Sequence, residues 1–338
     1  VRQMLSDKSE GTMQQRQLGR TGWPVGEVGL GCWQFGGDFG PMAEQTAMQI
    51  MVAAVEKGTT FFDTADVYGN GRSETLIGRF VRDTGRDIRV ATKFGREADV
   101  YPDGYTERAL RRKTEDSLKR LGVECLDLTQ LHCVPMKVLR DGAIFDWLRE
   151  LKREGKIRHF GASVESVEEA MVCLEHNDLA SLQIIFDIFR QKPIAELLPK
   201  AKAQNVAIIV RLPLASGLLA GKFTKDTKFV ETDHRNYNQD GQCFNVGETF
   251  AGLPFARGVE LADAIKLLVP EGMTMAQMAM RWILDHEAVS VVIPGASSPR
   301  QAIDNAQASD LPRLSPELHR RLSDFYTAEV RDHIRGPY

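Results

Sequence analysis

No two cysteines in this 338-residue chain are spaced CxxC, and no histidines are spaced HExxH. The five cysteines (Cys32, Cys125, Cys133, Cys173, Cys243) are odd in number and scattered, and the seven histidines are equally dispersed. That argues against structural zinc and against a disulfide framework, and it suits a reducing compartment. No metal is expected. Long apolar runs are also missing: none approaches the roughly 18 residues of a membrane span. The opening VRQMLSDKSEGTMQQR lacks the apolar stretch of a signal peptide. Net charge is −3 with both signs mixed, and there is no basic tract or basic-aromatic stripe of the kind nucleic acid attracts. What remains is a cytoplasmic protein, 43% hydrophobic and 26% charged, with a small-molecule partner and no nucleic-acid or membrane partner. Its oligomeric state is not legible.

Residues 1–15 read as a flexible polar leader, whose origin the start at Val1 and the later Met13 leave open. Residues 16–338 read as one domain, since no repeat or low-complexity linker interrupts them. Short β-type runs alternate with longer amphipathic ones. Strands are expected near 28–31, 60–63, 88–93, 126–131, 157–161, 182–185, 207–211 and 290–293. Helices are expected over 43–57, 73–82, 106–121, 142–153, 167–175, 194–204, 255–268, 274–285, 299–308 and 316–328. This alternation predicts an α/β fold with parallel βα units. An open dinucleotide fold would show GxGxxG after its first strand; Gly29-Leu30-Gly31-Cys32-Trp33-Gln34 does not. A single closed (β/α)8 TIM barrel is therefore expected, with its site at the C-terminal rim. One long Gly-rich loop, 212–254, is too long to be a plain connection.

Several strands end in groups that handle protons or charge. FFDTADVYGNGRSE carries Asp63 at a strand end and Tyr68 in the loop behind it. The third strand ends in Lys93 and the fourth in His132. Each alone has a bland reading, a solvated rim lysine or a satisfied core histidine; the conjunction carries the weight. A free tyrosine has a pKa near ~10, a nearby ammonium favours its phenolate, and a carboxylate holds that ammonium. An imidazole within reach orients a carbonyl oxygen or helps its proton move. Such a set donates a proton to a carbonyl. Hydride must then come from a nicotinamide cofactor, because no side chain supplies it.

At this point the sequence resembles the aldo-keto reductase superfamily. The resemblance rests on Phe62–Gly69 with Gly71–Gly78 behind it, and on Gly29-Leu30-Gly31, Leu131-His132, Gly161-Ala162-Ser163, Gln183, Pro213–Lys222 and Ile293–Ser298. The branch is the one similar to bacterial general reductases, inositol-operon reductases and potassium-channel beta subunits. It implies NADPH, with NADH possible, and a catalytic tetrad of Asp63, Tyr68, Lys93 and His132 in which Tyr68 is the general acid. It implies that Ser163 and Gln183 hold the nicotinamide carboxamide, and that Phe186 stands where many members stack a tyrosine on the ring. Val164 replaces a common asparagine. Gly31, Cys32, Trp33, Arg211 and Gly295 join the cofactor-binding set. Pro213, Leu214, Ser216, Gly217, Leu218 and Lys222 match the loop around the pyrophosphate; Ser297, Gln301 and Asn305 match the adenosine end.

Arg300 and Arg235 are candidates for the 2′-phosphate, with a solvated surface charge as the alternative. Ser297-Ser298-Pro299 is also an ordinary helix start. Trp33, Phe35 and Tyr101 are expected to wall the substrate pocket, with Tyr105 in the same loop as Tyr101; for Trp33 and Phe35, rim packing is the alternative. Cys32 and Cys133 are expected as apolar fillers rather than a redox pair. The resemblance implies reduction of aldehydes or ketones. The alternatives are oxidation of a sugar-like polyol or a low-turnover nicotinamide-sensing subunit.

Overall fold

The structure is a computed structural model and describes residues 13–338. The expected leader lies outside the described residues as far as residue 12. Beyond that it is part of the fold: Met13 is buried, and Gln14 donates its backbone N–H to Ser309 Oγ at 3.0 Å.

Eight parallel strands form the sheet: β1 (Leu30–Gly31), β2 (Phe61–Asp63), β3 (Arg89–Phe94), β4 (Leu126–His132), β5 (Ile157–Ser163), β6 (Ser181–Ile185), β7 (Ala207–Arg211) and β8 (Val289–Val292). Each neighbours the next in sequence order. The ends meet as well. Val28 bridges Val292 and Gly31 bridges Gly295, with Gly29 N–H on the Val292 carbonyl at 2.8 Å. The sheet is thus a closed barrel.

Helices follow the strands on the outside, close to where the periodicity puts them. Their starts are fixed by side-chain caps: Thr106 accepts from the Ala109 N–H, and Ser166 with Glu169 and Thr274 with Gln277 form capping boxes. Met136–Asp141 is a short helix that the periodicity does not predict. Also unexpected is an N-terminal hairpin, Gln15–Gln17 paired antiparallel with Pro24–Gly26. Its purpose is visible in the core. Leu18 and Val25 pack with Phe61, Ala91, Leu128, Ala207, Ile209 and Val291, the inward residues at the base of the barrel. The hairpin plugs the end opposite the C-terminal rim. The outward residues Phe62, Leu182, Ile184, Ile208 and Val292 pack into the layer shared with the helices. Among the described residues no helix is long and apolar enough to cross a membrane.

Candidate active site

Period-two alternation decides what each strand presents inward. Phe61, Ala91 and Leu128 fill the base. Two residues on, along the same strands, come Asp63, Lys93 and Gln130, and two further along β4 comes His132. The barrel interior therefore turns from apolar to polar toward the C-terminal ends. Lys93 is 1% exposed and Asp63 3%. Lys93 Nζ donates to Asp63 Oδ1 at 2.5 Å, to the Thr64 carbonyl at 2.8 Å and to the Tyr68 hydroxyl at 3.3 Å. The other carboxylate oxygen, Asp63 Oδ2, accepts from Gln183 at 2.7 Å and Gln130 at 3.2 Å. The His132 and Tyr68 rings meet edge-on with centroids 5.9 Å apart. The structure thus brings all four proposed tetrad residues together.

Their charge states follow from opposing effects. Burial pulls Lys93 down, but Asp63 and Tyr68 outweigh it and hold the ammonium above its ordinary range. At Tyr68 burial wins: the phenol is pushed up to about 12, although Lys93 acts the other way. This corrects the expectation of a net lowering. Lys93 does favour the phenolate, but loss of water is the larger effect, so Tyr68 stays protonated. His132 is held well below its usual value by burial, then by Arg96, Lys93 and Arg211, which leaves a neutral imidazole. Burial also pushes the Cys32 thiol well up and the Cys133 thiol to about 12, in keeping with inert fillers.

The loop that delivers Tyr68 is fixed by a close backbone approach. After β1 the chain makes a 3-10 turn, Trp33–Gly36, against residues 68–69. A Cβ on Gly36 would lie 2.6 Å from the Gly69 nitrogen and 2.8 Å from the Tyr68 carbonyl carbon. Gly36→Ala must therefore shift backbone next to Tyr68, and misplacement of a reacting group by ~1 Å costs up to about 100-fold in rate. We expect steady-state kinetics of Gly36→Ala to show kcat lowered at least ~10-fold. Trp33 stacks on Tyr68, centroids 5.9 Å apart, and its indole N–H donates to Asp38 Oδ2 at 3.0 Å. Tyr237 of the long loop donates to the other oxygen of Asp38 at 2.9 Å. The loop is thus tied across the rim to the β1 side.

A second charged group faces the same cavity, and the strand-end motifs singled out from the sequence contain only one of its members, Arg211. Arg96 follows β3, Glu165 follows β5, Arg211 ends β7 and Glu248 comes from the long loop. Arg96 donates to Glu165 at 2.6 Å and to Glu248 Oε2 at 3.1 Å; Arg211 lies 3.4 Å from Glu248 and donates to the Val164 carbonyl at 3.1 Å. Burial opposes ionisation of Glu248, but Arg96 and Arg211 hold it down at about 2. Glu165 is raised to about 7 by burial and then by Glu248. Cys133, Glu165 and Glu248 have ligand atoms within 4.8 Å of one another. The two guanidiniums already neutralise these carboxylates, so the group is not suited to a cation.

For Glu165 the raised pKa contributes stability that is complete below the ordinary carboxyl value, ~4.3, and is lost as pH rises through about 7. Glu165→Gln escapes that loss. Urea unfolding should show the variant gaining on the wild type by roughly 1–3 kcal/mol between about pH 5 and about pH 8.

Two cavities open on the rim, of about 290 and 450 Å3. They share Gln34, Phe39, Leu212, Pro213 and Gly295, and so form two lobes of one cleft. The first lobe takes Asp63, Tyr68 and His132 together with Gly31, Cys32, Trp33, Tyr101, Gln183 and Arg211. Ser163 reaches it through Gln183, to whose Oε1 it donates at 3.3 Å. The second lobe takes Leu214, Ser216, Gly217, Lys222, Arg235, Ser297, Arg300, Gln301 and Asn305. Gly217, at φ +102, sits in a kink where only glycine is comfortable, and a Cβ there would strike the Phe223 ring.

Three expected residues fall elsewhere. Phe186 is fully buried against Trp282 and His286, on the helix side of its strand. Alternation explains this: Gln183 points inward, so the residue three later points outward, and Phe186 cannot stack on a ring in the cleft. Phe35 is fully buried in the main core, so rim packing is the correct reading there. The Leu218 side chain packs into the core, where a Cβ on Gly258 would lie 2.6 Å from it. Tyr105 spends its hydroxyl on the Gly95 carbonyl at 2.8 Å. Arg235 lines the second lobe, but its fork is taken by Asp233 at 2.9 and 2.6 Å, and it sits over the Phe229 ring. Arg300 is 80% exposed and paired with Asp304, and Lys222 has no ion pair among the described residues.

A profile of the Aldo/keto reductase family matches residues 27–327. The chain belongs to the Aldo/keto reductase family. It is 29% identical over 309 residues to the uncharacterized oxidoreductase YqkF of Bacillus subtilis, covering 90% of this chain and 94% of the relative. It is 28% identical over 332 residues to the aldo-keto reductase yakc [NADP(+)] of Schizosaccharomyces pombe, covering 94% and 90%. Among solved structures it resembles the glycerol dehydrogenase AKR11B4 of Gluconobacter oxydans, with a TM-score of 0.77, 27% identity, and 96% and 98% of the two chains covered. In this aldo/keto reductase the rule that finds Lys93 and His132 also locates Arg96 and Glu165, each within three residues of a strand end.

Proposed function

We propose that this aldo/keto reductase reduces aldehydes or ketones to alcohols with NADPH, and that Tyr68 donates the proton. The observation that carries the reading is the Asp63–Lys93–Tyr68 chain ending at a cavity that also contains His132. The Tyr68 hydroxyl faces a carbonyl oxygen in the first lobe, with the neutral His132 as the second group that orients it. As the proton leaves, negative charge develops on the Tyr68 oxygen, 3.3 Å from the Lys93 ammonium. That favours the phenolate at the moment it forms. Asp63 keeps Lys93 charged and aimed.

The residues present fit an extended dinucleotide. The cleft has two continuous lobes. Gln183 and Ser163 offer amide and hydroxyl groups at the tetrad end. The left-handed Ser216 and Gly217 turn backbone toward the second lobe, where Lys222 and Arg300 supply positive charge for a 2′-phosphate. Arg235 is left out of that role, because the buried Asp233 holds it in a two-point pair through Nε and Nη2, whereas the Arg300–Asp304 pair is exposed. When bound, the nicotinamide supplies hydride to the carbonyl carbon. The name of the fission-yeast relative includes NADP(+), which agrees with this choice. The same groups run in reverse would oxidise a polyol, a second reading favoured by the likeness to the Gluconobacter glycerol dehydrogenase.

The test is aldehyde-dependent oxidation of NADPH by the wild type over aromatic, short aliphatic and hydroxylated aldehydes. Turnover with at least one class is expected. Reduction of NADP+ by polyols without any aldehyde turnover would favour the second reading. Absence of nicotinamide binding would overturn the cofactor assignment.

A further inference from the structure

We propose that Gln130 is a positioning residue for the tetrad, which holds the Asp63 carboxylate from inside the barrel so that Lys93 stays aimed at Tyr68. The inference rests on the reading of the tetrad just given.

Asp63 is almost wholly buried at the floor of the first lobe, and its two oxygens are served differently. Oδ1 takes the Lys93 ammonium; Oδ2 takes two amide N–H groups, from Gln183 and from Gln130. The two amides are not equivalent. Gln183 lines the cleft and is shared, since Ser163 donates to its carbonyl and a bound ligand meets the same side chain. Gln130 does not line the cleft and is fully buried. Its Nε2 faces Asp63 Oδ2 at 3.2 Å, and its Oε1 accepts from Ser181 Oγ at 3.5 Å. The orientation of the amide is forced, because turning it over would set its oxygen against a carboxylate. Gln130 comes from β4, between Leu128 of the apolar base and His132 of the tetrad. Alternation alone would accept an apolar residue at this inward position. The amide N–H here finds its acceptor in Asp63.

Without the Gln130 N–H, Asp63 Oδ2 depends on Gln183 alone. At so buried a position a carboxylate short of donors turns toward the remaining ones. That change weakens its hold on Lys93, and through Lys93 the support of the phenolate on Tyr68. Nothing in this route touches the substrate, so its signature is a loss in kcat with KM for the carbonyl compound nearly unchanged.

The test uses full-length protein with Gln130→Met and Gln130→Glu, assayed with NADPH and whichever aldehyde the wild type turns over best. Gln130→Met keeps the length but loses the donor. We expect its kcat to fall about 10–100-fold, with KM within about twofold and with NADPH fluorescence titrations unchanged. Gln130→Glu supplies its own control. At acid pH its carboxyl is protonated and donates O–H to Asp63 Oδ2 as the amide did; as pH rises it ionises and repels Asp63. Its rate should approach the wild type near about pH 5.5 and fall steeply toward about pH 8, where the wild type does not fall. A purely structural Gln130 would lower the melting temperature of both variants while leaving the pH profile of Gln130→Glu parallel to the wild type. That parallel profile would overturn the proposal, as would wild-type kcat in Gln130→Met. Should Gln130→Met not fold, the Gln130→Glu profile decides alone. A wild type with no turnover would instead count against the functional reading on which this rests.

Discussion

Tyr68→Phe is expected to lose two to four orders of magnitude in kcat, roughly what removing a positioned general acid costs, while it binds NADPH as the wild type does. The variant keeps the ring that stacks on Trp33 and that meets His132 edge-on, so the walls of the first lobe stay in place. It loses only the oxygen that Lys93 faces at 3.3 Å. The phenol stands near 12 because burial outweighs Lys93, so the wild type stays protonated there across the neutral range. The pH–rate plateau should therefore persist well above neutrality, and Tyr68→Phe should lower it and abolish any alkaline fall that titration of Tyr68 imposes. Steady-state kinetics read the first effect and a fluorescence titration of the cofactor the second. Comparable loss of binding and of rate would mean that Tyr68 shapes the cleft rather than donating the proton.

The second large effect is expected at Lys93, where chemistry and stability are coupled. Lys93→Met leaves the Asp63 carboxylate buried with only two amides for partners. Breaking a buried pair from one side costs about 3–5 kcal/mol, because the remaining charge is uncompensated. Chemical denaturation of the cofactor-free protein should show a loss of that size. A second change, Asp63→Leu, removes the stranded charge and should recover a large part of it, since two apolar side chains are tolerated where one unpaired ion is not. Activity should follow neither the loss nor the recovery. Both the single and the double variant lack the ammonium beside Tyr68, and each should fall at least ~100-fold in kcat. Recovery of turnover in the double variant would separate catalysis from the ion pair and contradict the role given to Lys93.

How far these residues are legible from the sequence differs from position to position, for physical reasons. Asp63, Lys93 and His132 sit at strand ends, and in a parallel barrel every strand end reaches one face, so the strand pattern is enough to gather them. The same rule reaches Arg96 and Glu165. It fails for Glu248, whose partner Arg96 is 152 residues away and whose loop has no periodicity to mark it. Phe186 is misplaced by the resemblance although the strand itself holds the answer: inward Gln183 fixes the parity, and three residues on is the other face. The hairpin at 15–26 leaves no signal because Gln15-Arg16-Gln17 is polar and too short to alternate, and its buried apolar side chains, Leu18 and Val25, show their role only against the base of a closed barrel. The charge state of Tyr68 is out of reach for a different reason. It is the balance of desolvation against an ammonium, and that balance depends on a distance and a burial that spacing along the chain does not encode.

The central claim is that the carbonyl carbon receives hydride directly while Tyr68 supplies the proton from the protein side. It is tested most directly with NADPH deuterated at the transferable position of its nicotinamide and an aldehyde that the wild type reduces in ordinary water. The account predicts one deuterium on the carbinol carbon of each product molecule, and none there when unlabelled NADPH is used in deuterium oxide. Product whose carbinol carbon carries solvent hydrogen instead would contradict it.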